Sequence, residues 1–127
     1  MAHTYDDQNI FAKILRGEIP NSTVLETDHT LAFQDINPLA PVHVLVIPKG
    51  AYVSHDHFAA EASEAEIIDF MRATAEVCRM TELSLGVDGD GYRVISNCGA
   101  DGVQDVPHYH LHVLGGRNLG RMVNTPD

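Results

Sequence analysis

Cysteine is scarce in this chain of 127 residues: Cys78 and Cys98 are the only two, and they form no Cys-x-x-Cys pair. No disulfide framework follows from them, and reduced thiols are the expected state. Basic residues are scarce too, with eight Lys plus Arg against eighteen Asp plus Glu and a formal net charge of −10. Such a charge repels a nucleic-acid backbone and anionic membranes, so no nucleic-acid or membrane partner is expected. Any phosphate ligand must be small and held by a local site. No apolar run approaches the roughly 20 residues of a membrane span, and the Asp6-Asp7-Gln8 start is unlike a secretory signal, so cytoplasmic residence is the expectation. Repeats, low-complexity tracts and linkers are lacking, and residues 1–127 read as a single domain.

What is present is concentrated near the C-terminus. The run Pro107-His108-Tyr109-His110-Leu111-His112-Val113-Leu114-Gly115-Gly116 alternates three histidines with apolar residues. Side chains of a strand point alternately to its two faces, so His108, His110 and His112 share one side and Tyr109, Leu111 and Val113 the other. Alternate Cα atoms lie roughly 6.5 Å apart, close enough for the imidazoles to surround one small reactive group. The polar face of a half-buried strand ordinarily carries Thr, Ser, Lys or Glu, and nothing in β-propensity favours repeated histidine. Imidazole suits proton transfer near neutral pH, nucleophilic attack and metal ligation, and the run alone does not choose among them.

The rest of the chain supplies a scaffold. Asn9 to Arg16 carries Ile10, Phe11, Ile14 and Leu15 on one helical stripe, stopped by Gly17 and Pro20. Thr23 to Glu26 and Thr30 to Gln34 read as a hairpin around Thr27-Asp28-His29, and Val42 to Ile47 as a strand ended by Pro48. Ser63-Glu64-Ala65-Glu66 matches a capping box. A helix from there carries Ile67, Ile68, Met71, Ala75 and Cys78 at helical spacing to about Leu85, with Gly86 as its stop; the stripe reads as core, with a partner surface shared in a dimer as the alternative for Met71 and Ile67. The acidic Glu61, Glu64, Glu66 and Asp69 read as a solvated helix start. Asp88-Gly89-Asp90-Gly91 turns into a strand from Tyr92 to Ser96, and an acidic, glycine-rich loop leads to the histidine strand. The expected fold class is α+β: a five-stranded antiparallel sheet with one short and one long helix covering one face.

On these residues the chain resembles the histidine-triad (HIT) nucleotide-binding family. His108 to Leu114 matches the family's signature strand. Phe11-Ala12-Lys13-Ile14 with Glu18-Ile19-Pro20 is similar to its opening helix, and Ala32 to Pro38 with Pro41 to Lys49 to its central hairpin, including a fourth histidine, His43. Gly115-Gly116-Arg117 resembles the Hint branch more than the Fhit branch. The resemblance implies a homodimer whose two sheets join into one of ten strands. It implies purine mononucleotide binding (AMP, GMP or their conjugates) and hydrolysis at the α-phosphate of an adenosine 5′-phosphoramidate, with no metal or cofactor required. It makes His110 the nucleophile, has His112 contact the phosphate and bridging atom, and has His43 and His108 orient their neighbours. Asp35 would bind the ribose hydroxyls, Asn97 would hold the phosphate end, and Phe11, Ile14, Phe33, Ile36 and Leu45 would line the base pocket.

The chemistry fits those roles. A neutral imidazole attacks phosphorus well, a leaving amine needs a proton that neighbouring imidazolium groups could supply near pH 7, and positioned donors stabilise charge on the phosphoryl oxygens. Departures from the family pattern stand beside the match. Asp105 occupies a position where the Hint branch usually has serine, and a carboxylate cannot donate to a phosphate oxygen unless protonated. Asn9 and Ala12 occupy the places of a Cys-x-x-Cys that binds structural zinc in some bacterial members, so that zinc site is expected to be absent. Ala51 replaces a histidine that often follows the Pro-Lys pair. Two rivals remain: a zinc or copper site built from the strand histidines and His43, and a nucleotide-binding or scaffold protein with weak turnover.

Overall fold

Strand alternation is the rule that organises this chain, because each strand sends successive side chains to opposite faces of one sheet. The computed structural model describes residues 3–86 and 88–123. It has α1 (Ile10–Leu15), β1 (Thr23–Glu26), β2 (Thr30–Gln34), β3 (Val42–Pro48), α2 (His55–Glu61), α3 (Glu64–Met80), β4 (Tyr92–Ser96) and β5 (Leu111–Gly115). The strands form one antiparallel sheet in the order β1-β2-β3-β5-β4, leaving β1 and β4 as edges.

Two cores form, one on each face. Ala32, Val44, Val46, Tyr109, Leu111 and Val113 pack against Phe58 of α2 and Phe70, Val77 and Cys78 of α3. The intervening residues Leu31, Phe33, Leu45 and Ile47 turn the other way and pack against Phe11 of α1, with Ile14 and Leu15 beside them. This corrects the expectation of helices on one face only: α1 covers the opposite face, where β2 and β3 offer a second apolar surface that would otherwise meet water.

The long helix starts at its capping box, with Ser63 Oγ accepting from Glu66 N and the Glu66 carboxylate accepting from Ser63 N. It ends at Met80, earlier than the expected Leu85. Thr81 is the C-cap, Glu82 adopts the left-handed conformation at φ 61°, and Leu83 N–H bonds back to Cys78 O. That pattern closes a helix whichever residue fills the left-handed place, and glutamate there gave no stop signal. Its packed stripe is Phe70, Ala73, Val77 and Cys78, with Ile67 half-buried, whereas Ile68, Met71 and Ala75 face outward. The helix has two apolar sides, and the sheet covers only one.

Glu66 and Asp69 also depart from a merely solvated helix start. Glu66 accepts from the Tyr52 hydroxyl at 2.9 Å. Asp69 accepts from Thr27 Oγ1 at 2.6 Å, Thr30 Oγ1 at 2.8 Å and His29 N at 3.2 Å, which ties α3 to the β1–β2 turn. The short helix α2, with Ser54 as its N-cap, was not foreseen, because its seven residues offer only His57 and Phe58 as a buried pair.

Candidate active site

The histidine run enters the sheet later than its alternation predicts. Ladder pairing begins at Leu111, opposite Val46 of β3 and Ser96 of β4. His108 and His110 precede the ladder, the segment being held instead by Tyr109 N–H donating to Tyr52 O at 2.7 Å. The alternation of sides persists: Tyr109, Leu111 and Val113 lie in the helix-covered core. His108 and His110 both pack edge-on against Phe11, and the His110 and His112 rings are 5.0 Å apart.

Hydrogen bonds fix the tautomer of each ring, because carbonyl oxygen can only accept and backbone N–H can only donate. His108 Nε2–H donates to Pro48 O at 2.8 Å, so Nδ1 is the acceptor, and the Tyr5 hydroxyl donates to it at 2.6 Å. His110 Nδ1–H donates to His108 O at 2.7 Å, which leaves Nε2 with its lone pair. Leu39 N–H donates to His43 Nδ1 at 3.1 Å, so His43 Nε2–H donates to His112 Nδ1 at 2.9 Å, and the remaining proton of neutral His112 is on Nε2. The outcome is a nucleophilic nitrogen on one ring beside a donor on the next.

His110 and His112 open into a cleft of about 350 Å³. Its lining includes Asp35, Asn97 and Asp105 together with Phe11, Ile14, Phe33, Ile36 and Leu45. All the expected pocket residues therefore converge on one place. His43 and His108 stand behind it, the first 2% exposed and the second 0%; the His43 ring bonds His112 Nδ1, and the His108 carbonyl accepts from His110 Nδ1. Asp35 accepts from Asn37 N at 2.8 Å through Oδ1, and its Oδ2 is 3.4 Å from His43 Nε2. Val103 also lines the cleft and was not anticipated. It holds φ 53°, a conformation that β-branched residues rarely adopt and that no sequence pattern signals. Tyr5 was missed too, since a single tyrosine ahead of the first helix carries no motif.

Burial sets the protonation of the rings. Desolvation pushes the His108 and His112 pKa values down to about 4, outweighing the Pro48 carbonyl at the first and the nearby Asp35 and Asp105 carboxylates at the second. Desolvation likewise lowers His110, opposed by its bond to His108 O and by Asp105 and Asp35, and lowers His43, opposed by Asp35. The expectation of imidazolium donors near pH 7 is therefore corrected for the free protein: these four rings are neutral there. Of the residues that line the cleft, none is lysine or arginine. An anion in it would rest on imidazole, amide and backbone donors.

The cluster best suited to a metal among the described residues is Asp35, His43 and His112, whose ligand atoms lie within 4.8 Å of one another. Those atoms already share the His43 Nε2 proton, which an ion would have to displace. Asn9, at one position of the zinc-binding pair of some relatives, caps α1 by accepting from Ala12 N at 2.9 Å. Ala12, at the other, has no ligand atom. No helix among the described residues is long and apolar enough to cross a membrane.

Comparison with known proteins places the chain in a family. The profile of the HIT domain matches residues 16–119. A 13.2 kDa HIT-like protein of Azospirillum brasilense is 59% identical over 97% of this chain and 98% of its own length. The purine nucleoside phosphoramidase of Escherichia coli is 39% identical over 92% of this chain and 94% of its own. Among solved structures, a histidine triad protein from Clostridium difficile superposes with a TM-score of 0.77 at 39% identity, covering 93% of this chain and 98% of that one.

Proposed function

The chain belongs to the HIT domain family, and from that premise we propose that it hydrolyses nucleoside 5′-phosphoramidates at the α-phosphate through a nucleotidyl-histidine intermediate, with no metal required. The observation that carries the reading is the tautomer chain, which leaves His110 Nε2 unprotonated beside the Nε2–H of His112 in one cleft. Phe11, Ile14, Phe33, Ile36 and Leu45 offer an apolar wall to a purine, Asp35 accepts from the ribose hydroxyls, and Asn97 donates to the phosphoryl oxygens.

In the first half-reaction His110 Nε2 attacks phosphorus and the P–N bond to the leaving amine breaks. The leaving nitrogen takes one proton from solvent in the open cleft, while the Nε2–H of His112, held in that tautomer by His43, hydrogen-bonds the phosphoryl group. In the second, water attacks the nucleotidyl group, the electron pair of the P–N bond returns to His110 Nε2, and the water proton goes back to solvent. The proton drawn in the first step is thus returned in the second, and the products are amine and nucleoside monophosphate. AMP conjugates are the expected substrates, with GMP conjugates as the other purine choice. The two unpaired cysteines, Cys78 and Cys98, suit a reducing cytoplasm.

The test is to mix chelator-treated protein with adenosine 5′-phosphoramidate and follow AMP release, with His110→Ala as control. Turnover in the wild type and none in a folded, AMP-binding variant supports the reading; wild-type rates in the variant remove His110 as nucleophile. A second reading, a nucleotide-binding protein with weak turnover, is favoured by Asp105: it presents a carboxylate to the cleft where a donor would help an anionic transition state. AMP binding without turnover would select it.

The homodimer belongs to this proposal as well. Edge strand β4 exposes Tyr92 (52%) and Val94 (40%), and Met71 (63%) lies with them along one groove. A second copy pairing along β4 would satisfy that edge and give a ten-stranded sheet.

A further inference from the structure

We propose that Tyr5, in the arm that precedes α1, is a positioning residue for the nucleophile, acting through His108; this rests on the reading of His110 as the attacking group. Tyr5 does not line the cleft. Its hydroxyl donates to His108 Nδ1 at 2.6 Å, and its ring meets the imidazole edge-on, the centroids 5.6 Å apart at 71°. The His108 ring is fully buried and is gripped at both nitrogens, by the arm at Nδ1 and by the end of β3 through Pro48 O at Nε2. The carbonyl of the same residue accepts Nδ1–H of His110 at 2.7 Å, so the clamp on the 108 ring sets the atom that holds the His110 tautomer. Burial raises the Tyr5 pKa, which keeps the phenol a donor.

The arm is itself fixed on either side of Tyr5. His3 stacks on His57 with centroids 4.2 Å apart, and Asn9, 6% exposed, donates to Asp6 O at 2.7 Å while capping α1. Tyr5 is thereby delivered to His108 from a segment that belongs to no strand. Without its hydroxyl, the buried Nδ1 has lost its donor, and the His108 ring, held only at Nε2 by Pro48 O, is free to tilt and to shift the carbonyl beneath His110. A fraction of His110 then carries its proton on Nε2, where it cannot attack.

The experiment compares wild type, Tyr5→Phe and Tyr5→Leu by AMP release, by AMP affinity and by long-range proton–nitrogen NMR of the histidine rings. The expected result is wild-type AMP affinity in both variants, kcat lower by about tenfold in each with KM little changed, and a mixed tautomer signature at His110. Equal losses in the two variants assign the effect to the hydroxyl. Tyr5→Phe with wild-type kcat and unaltered ring nitrogens overturns the proposal, as does a loss confined to Tyr5→Leu, which would mean that the arm packs without orienting. If the wild type releases no AMP, the hydrolase reading fails, and the nitrogen spectra of Tyr5→Phe alone decide the clamp.

Discussion

His43 Nε2 lies 2.9 Å from His112 Nδ1, and since Leu39 N–H already occupies the other nitrogen of His43, the bond between the rings runs in one direction. That direction places the free N–H of His112 at Nε2. The two residues come from neighbouring antiparallel strands, with Leu45 opposite His112 and Leu114 opposite His43 in the β3–β5 register.

His43→Gln and His43→Leu together test the orientation of His112. A glutamine amide can accept from Leu39 N–H and donate to His112, so it should keep kcat within a few-fold of wild type, whereas leucine, which offers no donor, should lower kcat by roughly 10- to 100-fold with AMP affinity near wild type. Calorimetry and steady-state AMP release check it, and equal rates in the two variants would dismiss the role of His43.

For Asp35→Ala, the proposed ribose contact of the carboxylate gives the expectation of a much larger loss of affinity for ribonucleotides than for their 2′,3′-dideoxy analogues. Titration of both ligand sets measures the difference. Parallel losses would place Asp35 elsewhere in the mechanism, for instance in holding His43, 3.4 Å from its Oδ2.

The pH dependence of kcat/KM follows from the neutral nucleophile. Burial holds the His110 pKa below 6.5, so the acid limb should fall below that pH, with a plateau through neutrality. Asp105 raises the His110 and His112 pKa values, so Asp105→Asn should move the limb to lower pH. A limb displaced upward by that change would contradict the placement of Asp105 beside the two rings.

Stability should depend on pH through the buried rings. A histidine whose folded pKa lies below its unfolded value binds fewer protons when folded, so its cost is absent above the unfolded pKa, grows as pH falls through it, and levels off below the folded pKa. For His108, lowered from 6.5 to about 4, the loss between pH 7 and pH 4 is about 3 kcal/mol, and His112 acts in the same sense. Thermal melts from pH 7 to 4 report it; His108→Asn should flatten the slope, and an equally steep variant would rule His108 out as its source.

For the proposed homodimer, the wild type should scatter as two 13.9 kDa chains and Val94→Asp, a charge on the exposed edge of β4, as one. Light scattering on both proteins gives the masses, and a variant that stays dimeric would move the interface away from β4.

Much of this protein was set by its sequence. The period-2 pattern of the strands, the Ser63/Glu66 capping box and the alternation of His108, His110 and His112 are local rules, carried by neighbours along the chain, and they placed all five strands and the face that bears the imidazoles. The cleft residues from Phe11 to Asp105 were legible too, but only through the resemblance to the HIT family, since nothing in their spacing alone brings them together. What tertiary structure decided is everything that depends on partners far apart in the chain. The tautomers rest on bonds between residues 69 positions apart for His43 and His112 and 103 apart for Tyr5 and His108. The neutral rings rest on desolvation, which exists only once the strands and α1 close over them. Which stripe of α3 is buried, Phe70–Ala73–Val77 rather than Ile68–Met71–Ala75, rests on where the sheet lies. Local sequence fixes which way a side chain points along its own element; only packing fixes what it meets there, and proton positions follow from what it meets.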